Sequence, residues 1–128
     1  MTNKTTSEII AVVLVLVTTL GVIAATAAYR HFSQPELELL ARAPEKGNWY
    51  PQTLTVEKGE NVTITIRNVD AVTHGFLLPA FDISLREIKG GETETIEFRA
   101  DKEGTFPFYC AVWCGDYHMQ MRGKLVVR

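Results

Sequence analysis

The chain is 128 residues long, 46% hydrophobic and 22% charged, with a net charge of −2. That length leaves room for one domain and little else, and the lack of any basic patch or Arg-rich run excludes a nucleic-acid partner. The averages conceal a division between an apolar amino-terminal segment and a mixed remainder.

From Ile9 to Tyr29 no side chain is charged. This run is long enough to cross a hydrocarbon core of about 30 Å at about 1.5 Å per helical residue. Lys4 is the one basic residue before it, and Ala25-Thr26-Ala27 has the look of a cleavage site. The run nevertheless exceeds the roughly 7–15 apolar residues of a signal-peptide core, which favours a retained anchor helix over residues 1–30. Lys4 and Arg30 balance one another, so charge alone sets no orientation. Under either reading the chain is exported.

Residues 31–48 read as a linker. His31 sits where an interfacial residue is expected, and Glu36–Arg42 reads as a short helical turn or an interfacial segment. Pro44, Gly47 and Pro51 then break the chain. From Leu54 the apolar period becomes two: Leu54 and Val56, then Val62-Thr63-Ile64-Thr65-Ile66, as in strands with one buried face. Val72–Phe76, Glu94–Arg99, Thr105–Cys110 and Gly123–Arg128 read as further strands. Turns at Lys58-Gly59-Glu60, Ile88-Lys89-Gly90-Gly91 and Asp101-Lys102-Glu103-Gly104 punctuate them. Short strands without a long amphipathic helix predict an antiparallel sandwich or barrel over 49–128. Asn61-Val62-Thr63 fits a glycosylation sequon, a pattern common by chance.

The chemistry concentrates in Cys110-Ala-Val-Trp-Cys114-Gly-Asp-Tyr-His118-Met-Gln-Met121. Both cysteines of the chain lie in it, and a second histidine, His74, lies upstream. Two thiols, two imidazoles and a thioether form a soft donor set. Such donors select copper or zinc, and a thioether favours copper. Four other readings compete. Two cysteines in an exported chain usually form a disulfide, but a disulfide leaves His118 and Met121 unexplained. The i, i+4, i+8 spacing would align Cys110, Cys114 and His118 on a helix, yet Pro107, Gly115 and the flanking strands favour strand-loop-strand. Structural zinc usually takes two tight ligand pairs, and His74 stands alone. A mononuclear blue-copper site uses two histidines, one cysteine and a weak methionine; the second cysteine distinguishes this loop from it.

The pattern Cys-x3-Cys-x3-His-x2-Met, preceded by His74 in Val-Thr-His-Gly-Phe, resembles the CuA loop of cytochrome c oxidase subunit II. Nitrous oxide reductase carries a similar loop, and the single preceding helix resembles the short subunit II of ba3-type oxidases. The resemblance implies a cupredoxin-like Greek-key β-sandwich holding a binuclear copper centre. Cys110 and Cys114 would bridge two coppers. His74 and Met121 would complete one, and His118 with the Val112 carbonyl the other. In mitochondrial-type subunits a glutamate occupies the place of Val112 and reaches magnesium, a link Val112 cannot make.

The same resemblance implies a non-catalytic electron-transfer subunit. Its partners would be a soluble donor, such as cytochrome c or a blue-copper protein, and a haem-copper catalytic subunit. The copper domain would stand on the extracytoplasmic side of the cell membrane. A CuA subunit of a nitric oxide reductase and a tethered copper-delivery cupredoxin are the alternatives. Trp49 and Tyr50 fall where the family places aromatics near a donor-docking surface. Phe76, Phe106, Phe108 and Trp113 are candidates for packing around the site, Met119 reads as packing, and Asp116 and Tyr117 as residues of the copper face or of an exposed turn.

Overall fold

A computed structural model describes residues 4–32 and 36–128, which fall into two units, one on either side of residue 34. The first is a single helix, α1 (Lys4–Phe32). Its stretch Thr5–Tyr29 is long and apolar enough to span a membrane. Thr18, Thr19 and Thr26 do not interrupt it, because each hydroxyl donates to a carbonyl one turn back at 2.8–3.0 Å. The side chain of His31 and residues 33–35 of the expected linker lie outside the described residues.

The second unit is a sandwich of eight strands: β1 (Glu36–Ala41), β2 (Thr53–Val56), β3 (Asn61–Asn68), β4 (His74–Leu78), β5 (Ile83–Ile88), β6 (Thr93–Arg99), β7 (Gly104–Tyr109) and β8 (Arg122–Val127). One sheet runs β1-β3-β6, the other β2-β8-β7-β4-β5. The period-two segments behave as their pattern dictates. Val62, Ile64 and Ile66 of β3 point inward and are fully buried, and Leu54 with Val56 does the same from β2.

Two expectations need correction. Glu36–Arg42 is neither helical turn nor linker: residues 36–41 form β1, which runs parallel to β3 and buries Leu39 and Ala41 completely. Glu, Leu and Ala favour helix locally, but pairing and burial outweigh propensity differences of a few tenths of a kcal/mol per residue. The sandwich is also not purely antiparallel, since β2 pairs with β8 in parallel. Strand β5 went unread because its alternation fails at Arg86-Glu87, where the β4–β5 register shifts between His74 and Phe76.

At the core Trp49 meets Phe76 and Phe108 edge-on, with ring centroids 5.7 and 5.8 Å away, and the two phenylalanines lie 5.4 Å apart. All three are fully buried. Phe76 follows His74 by two positions on β4, and Phe108 precedes Cys110 by two at the end of β7. The aromatic trio therefore lies beneath the segments that carry His74 and Cys110.

Candidate metal centre

His74 opens β4, and the segment before it is shaped by buried polar groups. The fully buried Asn68 donates its amide to the carbonyls of Val72 and Ile88, both at 2.8 Å, and accepts the Asp70 N–H at 2.9 Å. Asp70 then accepts from the Ala43 N–H at 3.0 Å, the Ala71 N–H at 2.8 Å and Lys46 Nζ at 2.6 Å. Burial alone would raise the Asp70 pKa. The Lys46 ammonium and the two amides overcome it and hold the carboxyl well below the usual carboxylate range. Lys46 is correspondingly raised by its hydrogen bond to Asp70.

The His74 imidazole is completely buried, which pushes its pKa down against the opposing pull of Asp70. Its Nδ1 faces the Cys110 sulfur at 3.9 Å, and its Nε2 lies 3.4 Å from Asp70 Oδ2, off the line of a good hydrogen bond. With the proton kept on Nε2 beside the carboxylate, Nδ1 presents a free lone pair to the sulfurs.

After β7 the chain forms the loop Cys110–Met121, and only His118–Gln120 takes a turn of 3-10 helix, so the strand-loop-strand reading holds. The loop folds back because the Cys110 N–H donates to the Met121 carbonyl at 3.0 Å. The Cys110 thiol is 3.2 Å from the Val112 carbonyl and receives the Gly75 N–H at 3.5 Å. Cys114 Sγ lies 3.5 Å from His118 Nδ1 and 3.7 Å from Met121 Sδ. The donor atoms of His74, Cys110 and Cys114 all lie within 4.8 Å of one another. Neither cysteine is in a disulfide. Burial, with Cys110 alongside, pushes the Cys114 thiol up to about 12. Without a cation Cys114 keeps its proton, and a soft cation would displace it.

All six expected ligands thus converge on one small volume. Cys110 and Cys114 are 7% exposed, Met121 1%, and His74 not at all. Of the donor side chains only the His118 ring is half-exposed; it faces the Trp113 ring at 5.7 Å. An open cavity of about 700 Å³ reaches Cys110, His118 and Met121 from the surface, lined also by Arg86, Glu87 and Tyr109.

Several secondary expectations change. Trp49 is not at a docking surface but in the core, whereas Tyr50 is exposed. Met119 is 73% exposed and so is not packing, and Trp113, 69% exposed, packs against the site only through the His118 ring. Asp116 and Tyr117 are exposed turn residues. Sequence reasoning missed Lys46, Asn48, Asn68, Asp70 and Gly75, which shape the site without donating to it. The Asn-x-Asp spacing four residues before a histidine is the signal that was there to read.

Gly75 shows how tightly the layers meet. A Cβ there would stand 2.9 Å from the carbonyls of both Leu85 and Arg86 and 3.0 Å from the Ala111 side chain. No other residue lets the ligand loop lie this close on β4.

A family profile described as a cupredoxin-like domain matches residues 11–127. The nitrous-oxide reductase of Stutzerimonas stutzeri is 40% identical over 79 residues, covering 59% of this chain and 12% of that protein. Cytochrome c oxidase subunit 2 of Thermostichus vulcanus is 35% identical over 74 residues, covering 58% of this chain and 22% of that one. The chain therefore spans less than a quarter of either relative. Among solved structures, a chain from a cryo-EM structure of a heme-copper terminal oxidase dimer superposes with a TM-score of 0.64 at 18% identity, covering 98% of this chain and 100% of that one. At that identity the likeness concerns the fold.

Proposed function

The chain belongs to the cupredoxin-like domain family and is related to cytochrome c oxidase subunit 2 and to nitrous-oxide reductase; from that premise we propose that it is the electron-transfer subunit II of a haem-copper respiratory oxidase. It takes electrons one at a time from a soluble donor, cytochrome c or a blue-copper protein. It passes them to a haem of a catalytic subunit in the same membrane. Helix α1 is the anchor, and the copper domain stands on the extracytoplasmic side.

The observation that carries this reading is the buried pair of sulfurs on one loop, each within 4 Å of its own imidazole Nδ1. Cys110, Cys114, His74, Met121, His118 and the Val112 carbonyl would hold a copper pair. When bound, such a pair supplies a one-electron carrier whose change in charge is shared over two metals and two sulfurs. The chain's own groups do the rest. Near-complete burial of four donors leaves them little contact with water. Asp70 keeps the His74 proton on Nε2. The trio of Trp49, Phe76 and Phe108 gives the loops a close-packed base, which limits rearrangement as the charge changes. His118, half-exposed beside Trp113, is the edge through which a donor reaches the centre. A delivery module needs exposed, labile ligands, and the burial of His74, Cys110, Cys114 and Met121 opposes that reading.

The test is purification of the full chain from its native membrane in mild detergent. A co-purified haem-containing membrane subunit, whose haem is reduced promptly when electrons enter through this chain, is expected. A chain that carries no haem partner and surrenders copper to a chelator within seconds contradicts the proposal.

A further inference from the structure

The eleven residues between β1 and β2 cross from one sheet to the other, and they touch both ligand-bearing loops on the way. The crossing is closed off at its base by a bridge between Leu40 and Tyr50, whose N–H groups donate to one another's carbonyls at 2.8 and 3.0 Å. Within it, the Ala43 N–H and Lys46 Nζ grip Asp70, on the segment leading to His74. Asn48 Nδ2 donates to the Gln120 carbonyl at 2.9 Å, on the other ligand loop. Trp49 is sunk between Phe76 and Phe108, on the strands that carry His74 and Cys110.

We propose that the Ala43–Trp49 loop is a positioning clamp that holds the two ligand loops against each other, with Asn48 the positioning residue for the Met121 thioether. The geometry at Met121 is specific. The Gln120–Met121 peptide plane is held on one edge by Asn48, which binds its carbonyl. It is held on the other by the His118 carbonyl, which accepts the Met121 N–H at 2.9 Å. Met121's own carbonyl is taken by the Cys110 N–H. Only the side-chain torsions of Met121 then remain free to set Sδ against Cys114. Asn48 reaches its partner from a left-handed backbone, φ 61°, while its Oδ1 accepts the Trp49 N–H at 2.7 Å. Asparagine and aspartate tolerate that backbone better than most residues.

The inference rests on the copper-pair reading above, and its test separates the two. The full chain in detergent is compared with Asn48→Asp, which keeps the left-handed backbone and the acceptor for Trp49 but sets a carboxylate against the Gln120 carbonyl. Asn48→Gly, which keeps only the backbone, guards against misfolding of the first. Loss of a group that orients a ligand typically costs 10–100-fold in metal affinity. Both variants should therefore release copper to a copper(I) chelator about tenfold faster and show an altered copper hyperfine pattern. In the copper-free, reduced chain the Met121 amide should exchange with solvent about tenfold faster while the Ile64 amide of β3 is unchanged. Wild-type release and a wild-type spectrum in both variants overturn the clamp. A wild-type chain that takes up no copper pair overturns the proposed function instead, and the clamp is then decided by Met121 exchange alone.

Discussion

Replacing Asp70 by asparagine removes one charge and one acceptor from a side chain that receives three hydrogen bonds and faces the His74 imidazole. An asparagine can place its carbonyl at either oxygen position but not at both. In the better orientation it still accepts from Ala71 and Lys46, and its amide then opposes the buried Ala43 N–H. Hydrogen bonds to charged groups contribute about 1.5–3 kcal/mol, and a buried donor left without a partner costs about as much. The copper-free domain should lose about 2–3 kcal/mol at neutral pH. For a unit of this size that is a fall of roughly 10–20 °C in Tm, measured by circular dichroism under reducing conditions. The pH dependence carries a sign. The folded-state pKa of Asp70 is depressed, so its contribution is complete above the ordinary aspartate value of 3.8. It fades as pH falls from there toward the folded value. Lys46, which faces Asp70, stays protonated throughout. His74, whose pKa burial lowers and Asp70 holds up, is lowered further in the variant, so acidification below the ordinary histidine value of 6.5 costs the variant at least as much as wild type. The gap between wild type and Asp70→Asn should therefore hold or widen from pH 7 to 5, as His74 begins to resist protonation, and narrow only below 3.8 as Asp70 itself takes up its proton. A gap below about 0.5 kcal/mol at pH 7, or one that shrinks between pH 7 and 5, would refute the reasoning.

Four further substitutions probe separate parts of the account. Met121→Leu should change the copper spectrum and Met119→Leu leave it as it was, because only Met121 is buried against Cys114; electron paramagnetic resonance on both loaded proteins checks this. Gly75→Ala should cost about 1–3 kcal/mol through overpacking and shift the visible absorption of the loaded protein, since the new methyl pushes Ala111, next to Cys110, away from β4. Trp49→Ala should cost about 3–5 kcal/mol in chemical denaturation of the copper-free chain by emptying the centre of the aromatic trio.

The donor set was legible because it is local: five of the six groups lie within twelve consecutive residues, and soft donors in that order admit few chemistries. The Val112 carbonyl needed the family likeness, since no side chain marks it; His74 entered by its donor type, although nothing in the spacing says which distant strand lies beside the loop. Strands β3 and β6 were legible from their alternation, whereas β1 hid behind helix-forming residues and β5 behind a register shift. The parallel pairings of β1 and β2 follow from a chain that changes sheets, which no local pattern records. Trp49 illustrates the same limit. An aromatic beside an asparagine and a tyrosine in a Pro- and Gly-containing loop reads as surface, yet it is buried because the loop crosses the end of the sandwich. Asn48 escaped notice because its partner is seventy-two residues away. Asp70 did so because the groups that fix it, Lys46 and the Ala43 N–H, lie more than twenty residues off, although its spacing to His74 was there to read.

One measurement reaches the central claim most directly: metal content and electron paramagnetic resonance on the same copper-loaded, full-length sample. Two coppers per chain, with hyperfine splitting from two equivalent nuclei that is lost in Cys110→Ser and Cys114→Ser, is the predicted result. One copper per chain with single-nucleus splitting, zinc in its place, or a Cys110–Cys114 disulfide in the isolated protein would contradict it.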